Sequence, residues 1–291
     1  MNVCKSRLFS LAAVGLLTAA LTASAQSGPL RVLEMRFNVG EVNRYRTTAQ
    51  TIVTIPVPGQ ALPNKTTLDV DLSQRMRAIR ALPHGGGEVE SATTAGAIYM
   101  NGSPNSEPDS KPFTITYDAR GNVASIKGLT AQSSLGGMLG SGSLGMQSAF
   151  LPGHPVRQGQ TWQQPMRLPG MPVAGAGTVS CRWMATERIG RYETARIRTF
   201  LAQPLKIMLT GDAQPTQDPR RAVYVMTGML SMTFISNFAI AEGKVIRSSG
   251  IGGASLNSHL KGAAPKKKMA QTVPEGSKLT LKMRIGYNLV E

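Results

Sequence analysis

The dominant pattern in this chain is an alternation of apolar and polar residues with a period of two. Leu279, Leu281, Met283, Ile285, Tyr287 and Leu289 share one parity, while Lys278, Thr280, Lys282, Arg284 and Asn288 take the other. Successive side chains of a strand point to opposite faces, so this segment reads as a strand with one buried and one wet face. From Thr66 onward, Leu68, Val70, Leu72, Met76 and Ala78 oppose Asp69, Asp71, Ser73, Arg75 and Arg77 in the same way. Tyr45, Thr47, Ala49, Thr51, Val53 and Ile55 against Arg44, Arg46, Thr48, Gln50 and Thr54 predict a third strand, and Leu33, Met35, Phe37 and Val39 a fourth. Weaker versions of the pattern predict strands over residues 89–99, 113–118, 123–127, 161–168, 178–186, 194–201, 222–240 and 245–260. The stretch 222–240 is apolar on both parities in places, as in a central strand covered on both faces or one that bends at Gly228. Asp118-Ala119-Arg120-Gly121-Asn122 and Ala241-Glu242-Gly243-Lys244 each set a glycine between two such runs, which predicts hairpins and antiparallel neighbours.

The fold class that follows is all-β: long antiparallel curved strands forming a half-open barrel or a wrapped sandwich. Residues 131–150 are a Gly, Ser, Leu and Met mixture without a charge, and they divide the chain into β halves at 26–130 and 151–291. A short helix fits over 144–150. Each half opens with a strand after a glycine, which makes divergent copies of one unit an expectation. Residues 101–112, 204–220 and 262–271 are rich in turn-forming or charged residues and read as exposed connections.

The first 25 residues are expected to leave the protein. Lys5 and Arg7 supply a positive start, residues 8–20 are an apolar run, and Ala23-Ser24-Ala25 is the small-x-small pattern of signal cleavage between Ala25 and Gln26. The run falls short of the roughly 20 residues that span a bilayer, so no transmembrane anchor is expected after removal. Cys4 precedes the run and leaves with it. The expected location is the periplasm, the medium or the cell surface.

Charge then narrows the partners. The chain has 32 basic and 16 acidic residues, and losing Lys5 and Arg7 still leaves an excess of 14 positive charges. That favours anionic lipid or polymer surfaces, against the blander alternative of a scattered, solvated basic exterior. Lys261, Lys266, Lys267 and Lys268 form the most localised cluster, suited to weak, salt-sensitive contact with phosphates. Aromatic residues make up 5% of the chain, too few for stacking platforms, so sequence-specific nucleic-acid binding is not expected.

Candidate chemistry adds little. Gly140-Ser141-Gly142-Ser143-Leu144-Gly145 fits a dinucleotide fingerprint in letters only, without the strand and helix that give it meaning. His84, His154 and His259 are isolated, so neither metal nor cofactor is expected. Asp69 and Asp71 share a strand face, where pairing with Arg75 and Arg77 explains them better than acid-base catalysis. Cys181, flanked by Val179 and Trp183 on the apolar parity, reads as a small buried hydrophobe. No enzyme activity is expected.

One segment carries a resemblance. Leu151-Pro152-Gly153-His154-Pro155-Val156-Arg157-Gln158-Gly159-Gln160-Thr161-Trp162 resembles the mid-chain signature of an uncharacterised family of exported bacterial all-β proteins, a domain of unknown function. Asp118, Gly121 and Val123, the spacing from Phe238 to Val245, and Val39-Gly40 through Tyr45 agree with it. The resemblance implies an all-β exported fold and supplies no activity, cofactor or catalytic residue. The functional expectation is a non-catalytic binding module for an apolar, lipid-like ligand, motivated by Met35, Met76, Met226, Met232 and Met283. The alternative is a structural or surface-interaction protein without a small ligand.

Overall fold

The structure, a computed structural model, describes residues 28–56, 62–106, 108, 110–128, 149–166, 175–210, 216, 218–261 and 276–290. Residues 1–27, with the expected cleavage site at Ala25 and Gln26, the cluster Lys266, Lys267 and Lys268, and nearly all of 131–150 lie outside the described residues. Among the described residues there are twelve strands: β1 (Val42–Ile55), β2 (Asn64–Ala81), β3 (Gly87–Met100), β4 (Ser103–Ser106), β5 (Phe113–Tyr117) and β6 (Val123–Lys127), then β7 (Thr161–Met166), β8 (Gly177–Ile189), β9 (Tyr192–Leu209), β10 (Tyr224–Ala239), β11 (Lys244–Leu260) and β12 (Lys278–Val290). No α-helix occurs among the described residues.

All strands belong to one antiparallel sheet in the order β6-β5-β3-β2-β1-β12-β11-β10-β9-β8-β7, with β4 paired to β3. The ends of that path, β6 and β7, do not pair, so the sheet stays open and is not a barrel. Its seam is the β1–β12 ladder, in register from Arg44 opposite Val290 to Thr54 opposite Thr280. Both six-strand runs advance in the same direction across the sheet, although their strand lengths do not repeat.

The period-two pattern sets the inner face. Tyr45, Thr47, Thr51, Leu68, Gln74, Met76, Leu279, Leu281, Ile285 and Tyr287 point inward and are buried. Opposite them lie Val179, Cys181, Trp183, Ile197, Leu201, Leu230, Met232 and Phe234 on β8 to β10, and one continuous apolar cluster takes in both wings. Such burial is the main favourable contribution to folding.

Three expectations change. Leu33, Met35, Phe37 and Val39 alternate with polar residues but form no ladder beyond the bridge of Arg31 with Val156. This segment crosses one end of the sheet, its nitrogens bonding to carbonyls far apart in sequence: Arg36 to Gly243 at 3.0 Å and Gly40 to Ala78 at 2.8 Å. Leu33 is buried, Met35 and Phe37 pack against the core with Phe37 stacked on Tyr117, and Val39 is left exposed. A period of two reports an extended chain with two faces and says nothing of whether a neighbour pairs. The expected loop 204–220 begins late, because β9 runs through Pro204 to Leu209. Pairing with β8 starts at Ala202 opposite Thr178, so Pro204 sits where β9 has lost that neighbour and a missing N–H does no harm. The expected loop 101–112 holds the short strand β4. As for the expected helix, only Ala149 and Phe150 are described, and both are buried without helical structure.

Two turn glycines make the crossing segment fit. Gly243 has φ +64 and a Cβ there would stand 2.7 Å from the Arg36 nitrogen, while a Cβ on Gly121, at φ +71, would meet Met35 at 2.8 Å. Gly243→Ala combines a left-handed backbone with that clash and should destabilise the protein by about 1–3 kcal/mol. Urea unfolding of the purified variant checks this; an unchanged midpoint would show that the segment does not anchor on the β10–β11 turn.

Candidate functional site

The inner face is not uniformly closed. Over β8 to β10 its apolar side chains are buried, but over the central strands some inward positions are only partly buried, between the buried Thr51, Leu68 and Leu281: Ala49 and Val53 on β1, Val70 and Leu72 on β2, Ile98 on β3 and Met283 on β12. The inward positions Tyr45 to Ile55 and Thr66 to Met76 include no charged residue. Leu72 and Met283 each face a glycine on one side, Gly96 on β3 and Gly252 on β11, while Thr47 and Thr51 of β1 stand opposite them on the other. From Ala49 to Ile55 the partly buried positions form a shallow trough that extends roughly 20 Å along β1 and is interrupted by the buried Thr51. Of the five methionines singled out from the sequence, Met283 faces this trough, Met226 and Met232 are buried in the core, and Met35 and Met76 lie at a separate cavity.

That cavity, about 60 Å³, lies between the crossing segment and the sheet. Its volume suits a few waters and not an acyl chain. Tyr45, Tyr117 and Tyr287 line it, and burial pushes all three hydroxyls well above the usual phenol range. Tyr45 and Tyr287 stack with ring centroids 4.3 Å apart, and the Tyr287 hydroxyl donates to the Met76 sulfur at 3.3 Å.

At the cavity mouth Glu41 accepts hydrogen bonds from Lys244 Nζ at 2.8 Å, Asn38 at 2.9 Å and Asn43 at 3.2 Å. Burial alone would raise the Glu41 pKa, but these bonds and the Lys244 charge outweigh it and hold the carboxyl below its usual range. A lowered folded value stabilises the fold above the ordinary carboxylate range, and the benefit is lost as pH falls through the lower folded value. Glu41→Gln should therefore flatten the acid limb of the stability curve, measured as Tm against pH, and cost about 1–3 kcal/mol near neutrality by leaving Lys244 without its acid.

Other candidates fall into structural roles. Cys181 is buried, its thiol pushed up to about 12 by burial against a partly offsetting Thr199 hydrogen bond. Thiol reagents should modify it only on unfolding, a slow step visible by mass; rapid labelling of the folded protein would refute this placement. Asp69 and Asp71 do not pair with Arg75 and Arg77. The ladder instead brings Arg46 to Asp71 through two hydrogen bonds, at 2.9 and 2.6 Å, and Gln50 to Asp69 at 2.9 Å. The Arg46 contact holds the Asp71 carboxyl below its usual range. Beside this pair the outward face has open depressions of about 260 and about 450 Å³. Lys261, at the end of β11, is exposed and donates to the Pro219 carbonyl at 3.1 Å. Among the described residues no cluster of His, Cys, Asp and Glu could hold a metal, and no helix is long and apolar enough to cross a membrane.

The class defined by this geometry is an open antiparallel β-sheet that wraps an apolar inner face. No family model matches the chain, and no curated protein matches it either. Among solved structures, lipovitellin, in a study of its lipid–protein interactions, is similar over 88% of this chain with a TM-score of 0.50 and 12% identity. The match spans only 26% of lipovitellin's length, and it speaks to fold alone. DynF from the dynemicin biosynthesis pathway of Micromonospora chersina aligns with 90% of this chain and 85% of its own at 8% identity, but with a TM-score of 0.22. At that value the alignment carries no structural argument.

The sequence motif that carries the family resemblance lies at a structural junction. Leu151 and Val156 are buried, and Trp162 donates its indole N–H to the Phe150 carbonyl at 2.7 Å. Sequence reasoning missed the tyrosine cavity and the Glu41–Lys244 pair, which join residues about 200 apart and depend on a register no local pattern reveals.

Proposed function

We propose that this protein is an exported, non-catalytic binding module that holds an apolar, lipid-like ligand along the half-open trough and meets anionic surfaces through its basic exterior. One observation carries the ligand: uncharged, only partly buried apolar side chains line the inward faces of β1, β2, β3 and β12. An extended apolar surface of this kind normally marks a binding site. Its length suits an extended acyl chain. Lipovitellin, studied for its lipid–protein interactions, shares the sheet architecture, which fits this reading without carrying it. The export half rests on the signal pattern ending at Ala25.

N-phenyl-1-naphthylamine, an uncharged fluorophore, provides the test. It should bind the parent saturably, and Leu72→Gln should weaken binding about tenfold by removing a buried apolar contact from the trough. Unsaturable binding, or equal affinity in both proteins, would remove the trough from the proposal. The filled interior over β8 to β10 favours a second reading, a structural surface protein, and that outcome would support it.

A further inference from the structure

The charge of this protein is unevenly placed on the sheet. Strands β8 to β12 contain ten basic residues, Arg182, Arg188, Arg196, Arg198, Lys206, Lys244, Arg247, Lys278, Lys282 and Arg284, against two acids, Glu187 and Glu193. Both acids sit at the β8–β9 turn end. The acids of β2 and β3, Asp69, Asp71, Glu88 and Glu90, lie on the other wing.

Register gathers part of this charge on the outward face. Arg182 on β8 lies directly opposite Arg198 on β9, a like-charge pair that a sheet normally avoids. Arg196 follows two residues along β9, level with Asn237 and then Arg247 across the ladders. Arg196 has Glu187 at 4.0 Å; Arg182, Arg198, Arg247 and Arg284 have no ion pair among the described residues, and the Arg182 Nε has no hydrogen-bond partner. Exposed apolar side chains stand among them. Phe200 (47% exposed) and Ile251 (63%) share the next cross-sheet row with Arg284, and Met184 and Met229 are also exposed.

We infer that the outward face of β8 to β11 is a docking surface for an anionic phospholipid bilayer, with Arg182, Arg196, Arg198 and Arg247 on lipid phosphates and Phe200 and Ile251 inserted among the headgroups. The interleaved apolar groups select this partner over an acidic polymer. Phosphate contacts alone satisfy a polyanion, whereas large apolar side chains gain only where they enter a membrane interface. The site differs from the lysine cluster at 261–268. It rests on the anionic-partner half of the proposed function and is independent of what the trough holds.

The test is cosedimentation of the full chain with phosphatidylcholine vesicles, with and without phosphatidylglycerol, across a salt series. Binding should require phosphatidylglycerol. Arg182→Gln with Arg198→Gln should weaken it roughly 30-fold, about fivefold per arginine, and Arg182→Lys with Arg198→Lys should retain it. Phe200→Ser with Ile251→Ser should remove the salt-resistant part of the binding. Arg75→Gln with Arg77→Gln, equal in charge but on the other wing, should change little. If the parent fails to bind any anionic vesicle, the anionic-partner reading and this surface both fall. If the parent binds and the Arg182/Arg198 glutamine variant matches it, or the Arg75/Arg77 variant loses as much, the assignment alone is overturned. Arginine-dependent binding to heparin without vesicle binding would make the partner a polymer and overturn it too.

Discussion

Trp162→Ala should cost about 3–5 kcal/mol, the range for deleting a large buried aromatic side chain. The indole is buried and its N–H bonds the Phe150 carbonyl at 2.7 Å, with the Cys181 sulfur a weaker second donor at 3.6 Å. Phe150 itself has φ +46, a left-handed conformation that a bulky residue keeps only when its surroundings hold it. Those surroundings connect the wings. Ala149 and Leu151 donate to the carbonyls of Gly121 and Arg120 in the β5–β6 turn, while Trp162 belongs to β7. The tie therefore brings together two sheet edges that do not pair. Trp162→Phe keeps most of the volume and loses the donor, so it should cost about 1–3 kcal/mol. Urea unfolding separates the two contributions, and a phenylalanine variant as stable as the parent would show that the hydrogen bond contributes nothing.

Ile115→Ala should cost about 2–5 kcal/mol and should be felt on the opposite wing. Ile115 is fully buried on β5, facing the shared interior. The two tryptophans of the chain, Trp162 and Trp183, lie on β7 and β8. Because the apolar cluster is continuous from β5 to β8 and the β1–β12 ladder joins the wings, unfolding is expected to be one cooperative event. The tryptophan fluorescence transition of Ile115→Ala should shift by the same amount as its far-UV circular dichroism. Wings that unfold separately would leave the fluorescence transition at the parent midpoint.

Local alternation made most of this sheet legible. β1, β2 and β12 follow directly from which residues share a parity, because one face is buried and a slip by one residue would expose it. The same rule failed for 33–39, where extended chain packs by its side chains and bonds sparsely to distant turns. It also shortened β9, because Pro204 reads as a breaker until the sheet shows that β8 has already ended there. Partner choice was not legible. Asp71 shares a strand face with Arg75 and Arg77, yet the residue it meets is Arg46, across the hairpin. The trough was half visible: the inward apolar positions were evident, but their partial exposure depends on how far the opposite wing reaches. The outward arginines were visible as single residues, and only the register set Arg182 beside Arg198.

Native mass spectrometry with organic extraction, on protein purified without detergent from its source, shows whether the half-open trough carries an apolar ligand. A co-purifying apolar molecule at fixed stoichiometry is expected, displaced by N-phenyl-1-naphthylamine and held about tenfold more weakly by Leu72→Gln. A clean apo mass, with nothing apolar in the extract, would contradict it.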